Sequence, residues 1–142
     1  GCTSLTEAPA LPATTLAAAC YYSMFHNCTS LTEAPALPAT TLASYCYSQM
    51  FYGCSALTEA PVLPASVLAI DCYRLMFKGC TRLKRVEVAF TDWDSGLDTA
   101  SWLDGVSSTG TFVCPIYLPD VRDVSHIPQG WVIGHPKANP SN

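Results

Sequence analysis

Sixteen residues, Cys-Thr-Ser-Leu-Thr-Glu-Ala-Pro-Ala-Leu-Pro-Ala-Thr-Thr-Leu-Ala, run from Cys2 to Ala17 and run again from Cys28 to Ala43. A close variant runs from Cys54 to Ala69, and Cys80 opens a partial fourth copy, so the period is 26 residues. Fifteen of the 26 positions are the same in all three full copies. In the first copy they are Cys2, Leu5, Thr6, Glu7, Ala8, Pro9, Leu11, Pro12, Ala13, Leu16, Ala17, Cys20, Tyr21, Met24 and Phe25. A fixed period of this size means that each copy buries its apolar face only against its neighbours in a stack.

The positions that repeat predict how one copy folds. From Ala13 onward they are 13, 16, 17, 20, 21, 24 and 25, a spacing that fits one face of a helix. Positions 18, 19, 22, 23, 26 and 27 change from copy to copy and form the free face. Pro12 suits a first helical turn, and Gly53, Gly79 and the equivalent Asn27 suit its end. The expected helix has about three turns. Leu5-Thr6-Glu7-Ala8 predicts a brief strand limited by Pro9, which cannot donate to a ladder. Leu5, Ala8 and Leu11 point inward, and Glu7 and Pro9 face out. Stacked copies then predict an α/β solenoid of the leucine-rich-repeat type, a short parallel strand plus a helix in each 26-residue repeat.

Three segments follow from this pattern: repeats over 1–83, a C-terminal cap over 84–133 and a flexible tail over 134–142. Lys84 to Phe90 alternates polar and apolar residues and predicts a strand. A turn at Thr91–Gly96 leads to a short helix around Thr99 to Leu103. Gly110–Pro115 and Ile127–Ile133 read as two more strands. An open stack end exposes apolar core, so an atypical terminal segment is needed to cover it. All three tryptophans, Trp93, Trp102 and Trp131, fall in the cap. Large aromatics there suit a core better than an exposed carbohydrate platform.

Charge narrows the function classes. The chain has 142 residues, net charge -4, and only 13% charged residues. No Lys or Arg precedes Arg74, and Glu7, Glu33 and Glu59 are the only charged side chains of the first 70 residues. That excludes a basic nucleic-acid footprint. No apolar run reaches the length of a membrane span. Gly1-Cys2 opens inside a repeat with no basic start and no apolar h-region, so no signal peptide is seen and the chain reads as a mature or excised fragment.

Few residues suggest chemistry. Seven of the eight cysteines repeat, as Cys2, Cys28, Cys54 and Cys80 and as Cys20, Cys46 and Cys72. Equivalent side chains about 5 Å apart point the same way, which suits buried thiols better than disulfides, although a surface location would permit disulfides. No CxxC and no repeating histidine supports a zinc site. Asp92, Asp94 and Asp98 resemble the start of a calcium loop, but Asp104 falls one residue late for the bidentate acid, and a polar turn capping a helix explains them. His26, His126 and His135 are scattered, and no nucleophile or phosphate motif occurs. No catalytic residue, metal or cofactor is expected. Glu7, Glu33 and Glu59 form the one repeated charge column and must face water. With Thr6, Thr32 and Thr58 they make a candidate ligand-binding strip. Solubility, sheet-edge protection or recent duplication explains the same column without a ligand.

The block Met50-Phe51-Tyr52-Gly53-Cys54-Ser55-Ala56-Leu57 recurs from Met76 to Leu83, and the first copy departs from it with Asn27 in place of glycine. It resembles the repeats of the Bacteroides surface protein A-like (BspA-like) family, over roughly residues 1 to 90. The Pro-x-Leu-Pro-Ala insertion departs from the commonest repeat of that family. The resemblance implies a secreted or cell-surface bacterial protein that adheres to a host extracellular protein or a glycan. The resulting expectation is a monomeric, non-enzymatic binding module with no nucleic-acid partner. The alternative is a structural spacer in a larger surface protein, with no ligand of its own.

Overall fold

A computed structural model describes residues 1–136. No helix occurs among them, and the named strands are β1 (Arg85–Glu87), β2 (Thr111–Val113) and β3 (Val132–Gly134). They form one parallel sheet in the order β1-β2-β3. The expected α/β solenoid of the leucine-rich-repeat type, with a helix in each repeat, is therefore incorrect. The helix around Thr99 to Leu103 is absent as well.

A ribbon of linked turns stands where the helices were expected. In the first copy Cys20, Tyr22, Met24, His26 and Cys28 each donate their N–H to the carbonyl three residues back, at 3.1–3.2 Å. The intervening N–H groups, of Ala19, Tyr21, Ser23, Phe25 and Asn27, donate to the carbonyls of Ser44, Cys46, Ser48, Met50 and Tyr52 at 2.7–3.0 Å. Every second amide closes a turn and every other one reaches the next copy. No N–H over 19–28 is left over, which a buried backbone requires. Tyr45 to Gly53 repeat the pattern onto Ile70, Cys72, Arg74, Met76 and Lys78 at 2.8–3.1 Å. Tyr73, Leu75, Phe77 and Gly79 repeat it onto Asp98, Ala100, Trp102 and Asp104 at 2.9–3.0 Å. The spacing of 25 between donor and acceptor thus continues through residues 98–104, where the repeated sequence has already drifted.

The ribbon requires a left-handed residue every fourth position. Ala19, Ser23 and Asn27 have φ of 55°, 55° and 57°; Tyr45, Gln49 and Gly53 follow with 57°, 56° and 73°; Asp71, Leu75 and Gly79 have 50°, 55° and 78°. A positive φ at the third residue of a turn is the type II arrangement. Each non-glycine there carries roughly 1–2 kcal/mol of strain. Five hydrogen bonds per copy, at about 0.5–1.5 kcal/mol each, offset two or three such residues. This also explains which positions vary. Side chains at the 20, 21, 24 and 25 positions fill the core in the second and third copies, and the pairs between them lie mostly toward solvent, with Ser48 buried and donating its hydroxyl to the Arg74 carbonyl.

The inward stripe expected from the repeat is present without the helix. Ala39, Cys46, Tyr47, Met50 and Phe51 are buried, as are Ala65, Cys72, Tyr73, Met76 and Phe77. Like side chains stack in columns. Tyr21, Tyr47 and Tyr73 lie 6.0 and 6.1 Å apart with rings within 3° of parallel, and Phe25, Phe51 and Phe77 are spaced at 5.6 Å. At the C-terminal end Tyr73 stacks on Trp102 and Phe77 meets it tilted, while Phe90, Trp93, Trp102 and Phe112 pack on one another at edge and tilted angles.

On the opposite side the strands of the first three copies shrink to isolated parallel bridges: Glu7 with Glu33, Glu59 with Arg85, and Leu63 with Val88. Prolines at 9, 35 and 61 withhold the donors a longer ladder needs. Pro35 and Pro61 are buried rather than facing out as expected of that column. The strand expected over Lys84–Phe90 is β1, Gly110–Pro115 contains β2, and β3 overlaps the end of Ile127–Ile133. Gly134, where the flexible tail was expected to begin, closes β3 and accepts the Cys114 N–H at 3.0 Å. The rest of that expected tail, from 137 onward, lies outside the described residues.

Two stability outcomes follow. Gln49→Gly removes a strained side chain from a left-handed position and should leave stability unchanged or raise it by up to about 1 kcal/mol, whereas the same change inside a helix costs up to about 1 kcal/mol. Urea unfolding measures the sign. The Tyr73 hydroxyl is fully buried and has no hydrogen-bond partner. Tyr73→Phe should therefore match the parent or gain about 1 kcal/mol in the same assay, and a loss of that size would contradict the orphaned hydroxyl.

Candidate functional site

The strip expected to carry binding is Thr6, Glu7, Thr32, Glu33, Thr58 and Glu59, and all six residues are exposed. Isolated parallel bridges set Glu7 beside Glu33 and Glu59 beside Arg85, and no bridge joins Glu33 to Glu59. None of the three carboxylates has an ion-pair or hydrogen-bond partner among the described residues. The fourth place in the column is Arg85, whose guanidinium pairs with Glu87 at 3.0 Å. The acidic row therefore ends on a neutralised pair. Backbone bonds fasten the row: Thr32 donates its N–H to the Thr6 carbonyl at 3.1 Å and its hydroxyl to the same oxygen at 3.3 Å. Lys84 donates its N–H to Thr58 at 3.0 Å.

A cleft of about 500 Å³ lies between the second and third copies, lined by Thr32, Glu33, Ala34, Thr58, Glu59, Ala60 and Pro61. A second cleft of about 390 Å³ shares Ala34 and Pro61 with it and is otherwise lined by Ala36, Leu37, Pro38, Val62 and Pro64. Together they offer an acidic end and an apolar, proline-rich end. Sequence reading found the acidic end through the repeated glutamates. It missed the apolar end, because the repeat pattern marks prolines as strand limits and does not show that those of neighbouring copies face one gap.

The remaining candidate residues are occupied by structural roles. Asp92 accepts the Asp94 N–H at 3.1 Å, and Asp98 accepts the Asp71 N–H at 3.0 Å, so the acids of the calcium-like loop cap backbone instead of converging. Among the described residues no three His, Cys, Asp or Glu side chains are placed to hold a metal ion. Trp93, Trp102 and Trp131 are buried, and their indole N–H groups donate to the carbonyls of Pro119, His126 and Ser107 at 2.8–2.9 Å. An exposed carbohydrate platform on them is thereby ruled out. His26 stacks on Tyr52 at 4.7 Å, His126 contacts Asp123, and His135 contacts the Cys114 carbonyl, so the histidines do not meet. No helix among the described residues is long and apolar enough to cross a membrane.

The cysteines are unpaired, six of them buried, with Cys2 and Cys20 exposed. Burial pushes the Cys46 thiol up to about 11 and those of Cys54 and Cys72 up to about 12. The Cys54 and Cys80 thiols donate to the carbonyls of Phe25 and Phe51 at 3.1 and 3.0 Å. Protonated, enclosed thiols are poor nucleophiles.

No protein-family model, curated protein or solved structure matches the chain.

Asp98 carries a testable role. It stands in the column of Cys20, Cys46 and Cys72, and its carboxylate replaces the backbone carbonyl that the 25-residue spacing would offer to Asp71. Burial raises its pKa above the ordinary carboxylate value, with the Asp71 N–H pulling the other way and Asp94 and Asp71 adding repulsion. A folded-state value above the unfolded one means the folded chain holds the proton more tightly. The associated stability is complete below the unfolded-state value and is lost as pH rises through the folded one. Asp98→Asn keeps the acceptor without the charge. It should match or exceed the parent at neutral pH and flatten the acid side of the stability profile. Asp98→Ala orphans the Asp71 N–H and should cost about 1–3 kcal/mol. Urea unfolding across pH measures both.

Proposed function

We propose that the chain is a non-enzymatic binding module that recognises an extracellular host protein or a glycan through the Thr6, Glu7, Thr32, Glu33, Thr58 and Glu59 strip. The observation that carries this reading is the row of three unpartnered carboxylates beside a cleft that runs into an apolar groove. Backbone bonds from Thr32 to Thr6 and from Lys84 to Thr58 hold part of the strip in place. Glutamates fixed in a row favour a ligand with spaced cations or hydroxyls, and the proline-lined end favours an apolar group beside them. The resemblance of the Met-Phe-x-Gly-Cys-x-x-Leu block to BspA-like repeats supports a bacterial cell-surface or secreted setting. The buried, unreactive thiols and the separated histidines leave the strip as the better use of the surface.

The test is a binding screen of the monomeric chain against immobilised matrix proteins and a glycan panel, beside a variant carrying Glu7→Ala, Glu33→Ala and Glu59→Ala. The reading expects binding to at least one ligand, weakened roughly tenfold or more in the variant as charge-assisted contacts are lost. Equal binding by both forms would move the site off the strip. Absence of binding by either would favour a spacer that presents other domains.

A further inference from the structure

We propose that the N-terminal end of the stack is a docking surface for one more coil of the same 26-residue repeat, joined ahead of Gly1. This inference is independent of the acidic strip and of any ligand bound there.

The two ends of the stack differ. At each junction between copies the ribbon of the earlier copy donates N–H groups and the ribbon of the later copy accepts them on its even-numbered carbonyls. The first copy donates in this way but accepts from nothing. The carbonyls of Ala18, Cys20, Tyr22, Met24 and His26 have no partner among the described residues, while their equivalents Ser44, Cys46, Ser48, Met50 and Tyr52 are all bonded. On the strip side the sense reverses at the first junction, with the Thr32 N–H donating to Thr6, but the interior Thr58 N–H has no partner among the described residues either, so the difference between the ends lies in the ribbon. The end therefore offers five ribbon acceptors that every later copy has filled. A preceding coil of this repeat presents the complementary set, four donors of its own and the N–H of Gly1 as the fifth, since Gly1 already lies against the His26 carbonyl.

The side chains agree. Met24 is 43% exposed, whereas Met50 and Met76 are fully buried. Cys2 and Cys20 are exposed, whereas Cys28, Cys46, Cys54 and Cys72 are buried. Leu5 and Tyr21 are only partly buried, and Leu31, Leu57 and Tyr47 are enclosed. The residues that fill the core of every later copy lie open here in the same columns. Two ends of this kind cannot satisfy each other, because acceptors would face acceptors.

The opposite end is closed by a dedicated segment. Leu103 donates its N–H to Val124 and Ser101 to the Ser125 hydroxyl, while the Thr99 hydroxyl and Trp102 indole donate to Ser125 and His126. A second copy of the chain therefore has no free donor ribbon to offer, which leaves a covalently preceding coil as the fitting occupant.

The experiment joins one added coil, with the sequence of residues 28–52, directly ahead of Gly1, which takes the place that Gly53 holds in the second copy and keeps the 26-residue period. A control carries the same residues in scrambled order. Native thiol labelling with peptide mapping reads the result. In the parent, Cys2 and Cys20 react quickly. In the extended chain their labelling should slow by roughly tenfold or more, as for groups reached only through local opening, and the fast sites should move to the two cysteines of the added copy. The melting temperature should rise above that of the scrambled control, and the mass in solution should remain that of a monomer. Fast labelling of Cys2 and Cys20 in the extended chain would overturn the proposal. A parent that is dimeric with those thiols already protected would overturn it too, by naming a second copy as the occupant.

Discussion

The hydrogen bond from one copy's ribbon to the next is the interaction on which the rest of the structure depends. In a helix every interior amide is used within its own segment, and neighbouring segments meet only through side chains. Here alternate amides from Ala19 to Asn27 leave their own copy and bind the next one. That arrangement sets the spacing of the stack, holds equivalent residues in register and dictates that like side chains lie over like. The columns of tyrosine, phenylalanine, methionine and cysteine are consequences of it. So is the row of glutamates, because the coil that aligns Phe25 with Phe51 also aligns Glu7 with Glu33.

The ribbon carries strain and a termination problem. Left-handed residues recur at every fourth position, and the sequence places glycine at only one of the three in the second and third copies. The last of the three, at Gly53 and Gly79, is where the chain turns toward the next strip. An added Cβ at Gly79 would meet the Gly53 Cα at 3.5 Å, an ordinary contact, so its positive φ rather than crowding favours glycine there. At the C-terminal end the tyrosine column stacks on Trp102, and Trp93 and Phe112 meet that indole edge-to-face, which ends the parallel stacking one ring further on. Asp98 then supplies a side-chain oxygen where a regular copy would supply a carbonyl.

Much of this was legible in the residues, and the part that was not has a definite cause. The period, the inward positions and the cap with its tryptophans follow from which letters repeat. The helix was a misreading of spacing. Positions 16, 17, 20, 21, 24 and 25 recur at a strict interval of four. At about 100° per residue, a helix overshoots by about 40° at each such step and turns the stripe away from its neighbour. A strict four-residue interval therefore fits linked turns with two residues in and two out, and that signal was present in Leu16-Ala17, Cys20-Tyr21 and Met24-Phe25. The left-handed residues could not be read, because Ala19, Tyr45 and Leu75 are not residues that announce a positive φ. In the candidate site the glutamate row was legible from repetition. The apolar cleft was not, since it depends on Pro38, Pro61 and Pro64 from different copies facing one gap.

The surface inherits its character from the same coil. Outward positions on the ribbon are free to vary, while the strip keeps Thr6-Glu7 in each copy, so the chain presents one constant face and one variable one. The claim beneath all of this is that ribbons, and not helices, join the copies. Nuclear magnetic resonance on the isotopically labelled chain tests it most directly, through coupling across hydrogen bonds. The account expects coupling between the Tyr47 nitrogen and the Cys72 carbonyl carbon, with positive φ at Tyr45 and Gln49. Uniformly helical φ from Ala43 to Gly53, with coupling only four residues back along the same copy, would contradict it.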